Sequence, residues 1–304
     1  MKLPAYLGPG PVLILILVLI LGGAYAGYWF FVAAKLQAGI VEWVAQQRAA
    51  GNAVTIADGS IGGFPLAFRR DFGAATLTIQ GDAPLSVTAG SAVAEIRPWN
   101  LNHVIFAARD LSLTGAQGAY RAGAAGGSID IPKTPPADYH QPFLGFDISA
   151  AQVTLPAGQR AVTAGPIETL AAQGAIMGPV AQGASLQDAV AAWAATGGVL
   201  ELKHFSFAQA PLDLTGEGTL ALDELLQPLG ALTITAHGLT DTVLLLEQDG
   251  MIDARSAKTA RLMADGLAKP DAAGKPTVSV SLSLQQGHVW LGPVKLARLP
   301  ALRW

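Results

Sequence analysis

Hydrophobic residues crowd the start of the chain and then spread into a two-residue rhythm. From Val12 to Ala34 the sequence reads VLILILVLILGGAYAGYWFFVAA, with no Asp, Glu, Lys, Arg or His between Lys2 and Lys35. As a helix, a run of this length extends about 35 Å, enough for a hydrocarbon core of about 30 Å. Ala24 and Ala26 form the small-residue pair of a secretory cleavage site. Apolarity continues past them through Trp29, Phe30, Phe31 and Val32, so an uncleaved spanning helix is expected, with Tyr28 and Trp29 in an interfacial aromatic belt. In LQAGIVEWVAQQR, Leu36, Ile40, Trp43 and Val44 then fall at helical spacing, and Gly51 is a stop. This predicts a short amphipathic helix, lying on the bilayer or packed on the domain after it.

From Val54 the period becomes two. Val54 and Ile56, then Phe64, Leu66 and Phe68, point to one face of a strand pattern. Leu77 and Ile79, Leu85 and Val87, Ala92 to Ile96, and Ile105 to Leu113 continue it, bounded by Gly, Asp-Ala-Pro and Pro-Trp-Asn turn signals. Residues 115 to 142, rich in Gly, Ala and Pro, predict a long loop with one short strand at Ile129 and Ile131. Strands resume over 146 to 158. Ser185 and Asp188 form a capping box for a helix in LQDAVAAWAATGG, closed by Gly197 and Gly198. Residues 199 to 223 predict two strands, LTITAHG another, and residues 240 to 268 one or two helices broken at Gly250. The clearest alternation comes last. Val278, Val280, Leu282 and Leu284 share one face, and Thr277, Ser279, Ser281 and Ser283 the other.

The organisation expected is a short amino terminus over 1–11, a transmembrane helix over 12–34, an amphipathic helix over 35–50 and a β-rich domain over 51–304. Lys2 against Lys35 and Arg48 leaves the positive-inside count near a tie, and the likeness of the low-charge β pattern to exported envelope proteins puts the short end in the cytoplasm. The fold class is mainly β with a few helices, the strands antiparallel. Whether their apolar faces close into a core or stay open as a groove is left undecided by periodicity.

Composition narrows the function. Charged residues are 13% of the chain against 51% hydrophobic, so Gly, Ala, Ser, Thr and Gln must cover much of the surface. A formal net charge of −3 supplies no basic field, and nucleic acid is an unexpected partner. The absence of Cys rules out disulfides, thiolate catalysis and cysteine-ligated metals.

The chemistry-bearing patterns are weak. His103, His140, His204, His237 and His288 are too far apart in sequence for a local ligand pair. Ser60 in DGSIGG lacks the outer glycine of a nucleophile elbow and fits a glycine turn. Gly216, Gly218 and Ala221 match G-x-G-x-x-A but run into an alternating strand instead of a helix. Asp249 with Asp253 and Asp223 with Glu224 fit solvated edges and turns. No catalytic, cofactor-binding or metal-binding residue is therefore named, and no enzyme is expected. The candidate functional surface is apolar and lipid-facing: Val278, Val280, Leu282 and Leu284.

In their order along the chain, the N-terminal anchor, GFPLAF (Gly63 to Phe68), RPWNLNHV (Arg97 to Val104), GTLALDELLQPLGALTITAHGL (Gly218 to Leu239) and LQQGHVWLGPVKLARLP (284 to 300) resemble the bacterial envelope family called domain of unknown function 2125. The resemblance implies an inner-membrane anchor, a domain facing the periplasm, a distant likeness to β-groove proteins that handle lipids, and no catalytic residues. The function expected is binding or passing of lipid-like hydrophobic molecules, with the bilayer as one partner. The alternative is an envelope scaffold or assembly factor with a closed core and protein partners.

Overall fold

A computed structural model describes residues 9–81, 84–159, 162–163, 165–180, 186–271, 274–292 and 294–299. Its first element is one helix, α1 (Pro9–Ala49). Pro9 and Pro11 sit in the first turn, where their missing N–H groups break no helical bond. Gly51, with φ of 85°, ends it: its N–H donates to Arg48 O and that of Asn52 to Gln47 O, both at 3.0 Å, in a Schellman closure. The amphipathic stretch over 35–50 extends the helix over 12–34 without a break, because Lys35, Leu36, Gln37 and Ala38 are all helix formers. Leu13 to Leu21 are exposed, and this helix is long and apolar enough to cross a membrane.

The remainder builds one antiparallel sheet. In chain order its parts are β1 (Ala53–Thr55), β2 (Phe68–Ile79), β3 (Leu85–Arg97), β4 (Asn100–Gly115), β5 (Gly118–Asp130), β6 (Pro142–Thr154), β7 (Ile167–Met177), α2 (Leu186–Ala195), β8 (Val199–Gln209), β9 (Leu212–Leu222), β10 (Pro228–His237), α3 (Leu239–Gln248), α4 (Ala254–Leu267), β11 (Lys269–Pro270), β12 (Pro276–Gln285), β13 (His288–Leu291) and β14 (Val294–Arg298). Each strand pairs with the next from β1 to β10, then β12, β13 and β14, while β11 pairs with β12. The outermost strands do not meet, so the sheet is open. Helix α2 interrupts the meander at one end of the strands, and the α3–α4 hairpin interrupts it at the other.

Two local expectations are corrected. Much of the long loop expected over 115–142 is β5, whose GAYRAGAAGGSID holds small residues at most positions and so hides its period. Small residues suit it because its neighbours come close. A Cβ at Gly127, whose φ is 152°, would collide with the Asp147 carbonyl of β6. Phe64 and Leu66 belong to a turn instead of a strand: Gly63 takes φ of 96°, and its carbonyl accepts from Leu66 N at 3.1 Å and Ala67 N at 2.9 Å. The β ladder starts only at Phe68. The helix expected after Ser185 is α2, although Ser185 itself lies outside the described residues. Helices α3 and α4 fall on either side of Gly250.

A kink crosses the middle strands. Asp110 and Gln152 take left-handed φ of 51° and 54°, and the pairings on either side put both opposite Gly123. The pairing register runs unbroken through the kink, and the left-handed residues alone interrupt the extended backbone. Along β4 the apolar positions pass from Val104, Phe106 and Ala108 to Leu111 and Leu113.

An uncovered apolar sheet face as the candidate functional site

Strand register turns the separate alternations into rows. Starting at Phe68 of β2, one row of paired residues runs Ile96, Val104, Ile129, Phe146, Gly174, Leu202, Gly218, Leu232, Leu282 and Leu291. It crosses every strand from β2 to β13 on the main path without a polar side chain. The next row on the same face runs from Val280 through Ile234, Gly216, Phe205, Ala172, Ile148, Gly127 and Phe106 to Ala94. A third runs from Val278 through Ala236, Leu214, Phe207, Leu170 and Ala150 to Ala125. Neighbouring rows lie two residues apart, except on β8, where a bulge between Leu202 and Phe205 adds one, so all three point the same way.

The glycines in these rows make room for large neighbours. A Cβ at Gly174 would stand 3.1 Å from the Phe146 ring, and one at Gly218 would stand 2.8 Å from the Leu232 side chain. Between β4 and β8 the face forms an open trough of about 510 Å³, walled by Phe106, Ile148, Leu170, Phe205 and Phe207. Its five strands are spaced by about 4.8 Å, so it measures roughly 19 Å across. Ile148 remains 41% exposed within it. The lining is almost wholly hydrocarbon, suited to acyl chains and offering nothing to a polar substrate.

Among the described residues, cover lies around this trough and not over it. At the β2 margin Trp29 of α1 stacks on Phe68 at 5.1 Å, and both are buried together with Ala33. At one end of the strands, α2 leans over Ile176 and Leu200, leaving an apolar hollow of about 280 Å³ beneath Val190 and Trp193. Trp193 Nε1 donates to Met177 O at 2.7 Å and fixes the helix there. Helices α3 and α4 sit at the other end, in contact with β9 and β12 respectively. Arg261 of α4 and Glu247 of α3 hold them together at 3.5 Å.

Val278, Val280, Leu282 and Leu284 all lie on this apolar face, at the β12 end. Val278 and Leu284 are 7% and 9% exposed, while Val280 and Leu282 are half-buried. They share rows with the trough but do not wall it, because three strand spacings, about 14 Å, separate Val280 from Phe205. No local pattern marks the trough residues in the sequence. The one signal is Phe205 and Phe207 in HFSF, whose large apolar partners across β7 and β6 appear only once register is known.

The opposite face is polar. Ser279, Thr235, Thr215 and Ser206 form one row across it. A hollow of about 710 Å³ is lined there by His103, Asp130, Asp147, Gln173, Glu201 and Lys203. His103 Nδ1 meets Asp130 Oδ1 at 2.7 Å, and Gln173 Nε2 donates to Asp147 Oδ2 at 3.4 Å. Among the described residues, no group of three or more His, Asp or Glu side chains is close enough to hold a metal. His237 meets the Thr277 hydroxyl at 3.1 Å, and His288 Nδ1 meets Gln286 O at 2.7 Å, both as local structural contacts. Gly216 and Gly218 lie within β9 and form no phosphate-binding turn.

One buried polar side chain closes the rim. Gln209, at the end of β8, accepts from Val162 N at 3.0 Å and Thr163 N at 3.2 Å, and donates to Thr163 O at 3.3 Å and Gly165 O at 2.7 Å. Both ends of its amide are thus satisfied.

No curated protein and no solved structure gives a match to this chain. The family described as an uncharacterized protein conserved in bacteria, DUF2125, matches residues 29–128 and 106–300, which together take in the sheet and the lower half of α1. The chain belongs to the DUF2125 family.

Proposed function

We propose that this protein is anchored in the inner membrane by α1, holds its sheet in the periplasm, and binds or passes lipid-like molecules along the apolar face. The observation that carries the reading is the row from Phe68 to Leu291, apolar on every strand from β2 to β13 on the main path, with a trough beside it that no other layer covers among the described residues. An apolar surface of this extent left to water is unfavourable, and such faces mark sites where lipid or protein docks. Hydrocarbon walls without convergent polar groups favour a chain-like apolar guest.

The scaffold reading draws its support from the β12 end, where Val278 and Leu284 are buried and α4 contacts the strand. A sheet covered throughout in this way would be a closed core. The trough between β4 and β8 favours the lipid reading instead.

Mass spectrometry of the whole protein, released intact from mild detergent, tests it. Wild type should carry retained phospholipid, and Ile148→Arg should lose most of it while its melting temperature moves little, because the guanidinium reaches water along its own stem. Equal lipid retention by both would count against the trough.

A further inference from the structure

Two turns grip α1 in the last turns of its apolar run. Tyr25 Oη donates to Pro65 O, Tyr28 Oη to Pro98 O at 3.0 Å, and Trp29 Nε1 to Ala67 O at 3.3 Å. The Phe30 ring stacks on Phe64 at 5.7 Å, and Trp29 meets the same ring edge-on at 5.4 Å. Arg97 binds the two turns together, with Nη1 donating to Leu66 O at 3.5 Å and Nη2 paired with Glu95 at 3.0 Å.

What these turns show outward is large and apolar. Phe64 is 49% exposed, Leu66 60% and Trp99 69%. Three such side chains on neighbouring turns make a patch that needs a partner. Their height along α1 says which. Lys35 is the first charge after Lys2. At 1.5 Å per residue, Tyr28 lies about 10 Å and Tyr25 about 15 Å before Lys35 on the apolar side. A span of about 20 residues that starts beyond Pro11 ends near Phe31. The turns held against Tyr25 to Phe30 therefore stand level with the end of the hydrocarbon segment, beside Phe30 and Phe31, which are exposed themselves. Lys35 comes about one turn after Phe31, where a cation meets lipid phosphates.

We propose that Phe64, Leu66 and Trp99 form a collar around α1 that inserts into the outer leaflet of the bilayer and seats the β2–β4 end of the sheet on it. Insertion rests on α1 being a membrane anchor and not on the trough holding lipid. If the trough does hold lipid, the collar places its nearest strands against the leaflet, since the row Phe68, Ile96 and Val104 begins just above the turns.

The lack of cysteine makes single-site labelling clean. Full-length Trp99→Cys, Leu66→Cys, Ala116→Cys and Leu19→Cys variants carry an environment-sensitive dye in phosphatidylcholine–phosphatidylglycerol vesicles. Ala116, exposed in the hairpin after β4, is the aqueous control from the far end of the strand that Trp99 precedes. A nitroxide on the lipid acyl chain should quench sites 99 and 66 several-fold more than site 116, and aqueous iodide should do the reverse. Iodide quenching at 99 and 66 equal to that at 116, or shielding from iodide without acyl-chain quenching, would overturn the collar. Loss of quenching at site 19 would instead overturn the anchor, so the two failures are distinguishable. Iodide accessibility at 99 and 66 with lipid still retained in the trough would remove the collar and leave the proposed function standing.

Discussion

Phe205 and Gly216 face each other across β8 and β9, and the Phe205 ring occupies the space above the glycine, where a Cβ would come within 2.6 Å of Cζ. The phenyl group lies down on the sheet in place of a missing side chain, and this shapes the trough floor. Gly216→Val would force the ring up and press on the neighbouring backbone. Overpacking of this kind costs about 1–3 kcal/mol. A corresponding drop in the denaturation midpoint, with less retained lipid, is the expected outcome.

The β12 end should behave differently from the trough. Val278 is buried on the side where α4 contacts the strand, so Val278→Arg strands a cation and should cost several kcal/mol, enough to prevent accumulation. Ser279 is its neighbour on the hydroxyl face, where it accepts from Thr235 Oγ1 at 3.3 Å. Ser279→Arg should change stability by no more than about 0.5 kcal/mol. Expression level and thermal melting of the pair check both register and cover.

Gln209→Ala removes the four hydrogen bonds by which a buried amide holds the backbone of Val162, Thr163 and Gly165. At roughly 1 kcal/mol net for each bond, offset by water that enters, a loss of about 2–3 kcal/mol is expected. Limited proteolysis should then cut between Pro156 and Ile167 before it cuts elsewhere in the sheet.

Asp253 caps α4, accepting from Ser256 N and Arg255 N at 2.9 Å. The Ser256 backbone N–H, then its hydroxyl, hold the carboxyl below its ordinary value of 3.8. With the folded value depressed, the stabilisation is fully present above the unfolded value and fades as pH falls through the folded one. Asp253→Ala should therefore lower stability at pH 7 and flatten the decline on acidification below about pH 4, the ordinary carboxylate range. Denaturation measured from pH 7 downward for both proteins reads the difference.

Much of this architecture is legible in sequence where the signal is local. The charge-free run to Lys35 gives the long helix, Gly51 gives its end, and the Val278-to-Leu284 alternation gives a strand with one apolar face. Local signal fails where partners supply the apolar side chains. In β5 the positions facing Phe106 and Ile148 hold Gly127 and those facing Ala108 and Ala150 hold Ala125, so no hydrophobic period is visible. The trough itself depends on register across five strands, which hairpin lengths and the β8 bulge between Leu202 and Phe205 set together. Phe64 and Leu66 mimic a strand because their spacing is two, while the left-handed Gly63 turns the chain.

Photocrosslinking in cell membranes asks the central question most directly. A photoreactive residue replaces Ile148 on the apolar face or, in a second protein, its neighbour Asp147 on the polar face. Alternation puts the two on opposite sides of one strand at the same depth. Irradiation should give phospholipid adducts, detected by mass spectrometry, at position 148 and few or none at 147. Protein adducts without lipid at 148, or equal lipid labelling at both positions, would contradict the account.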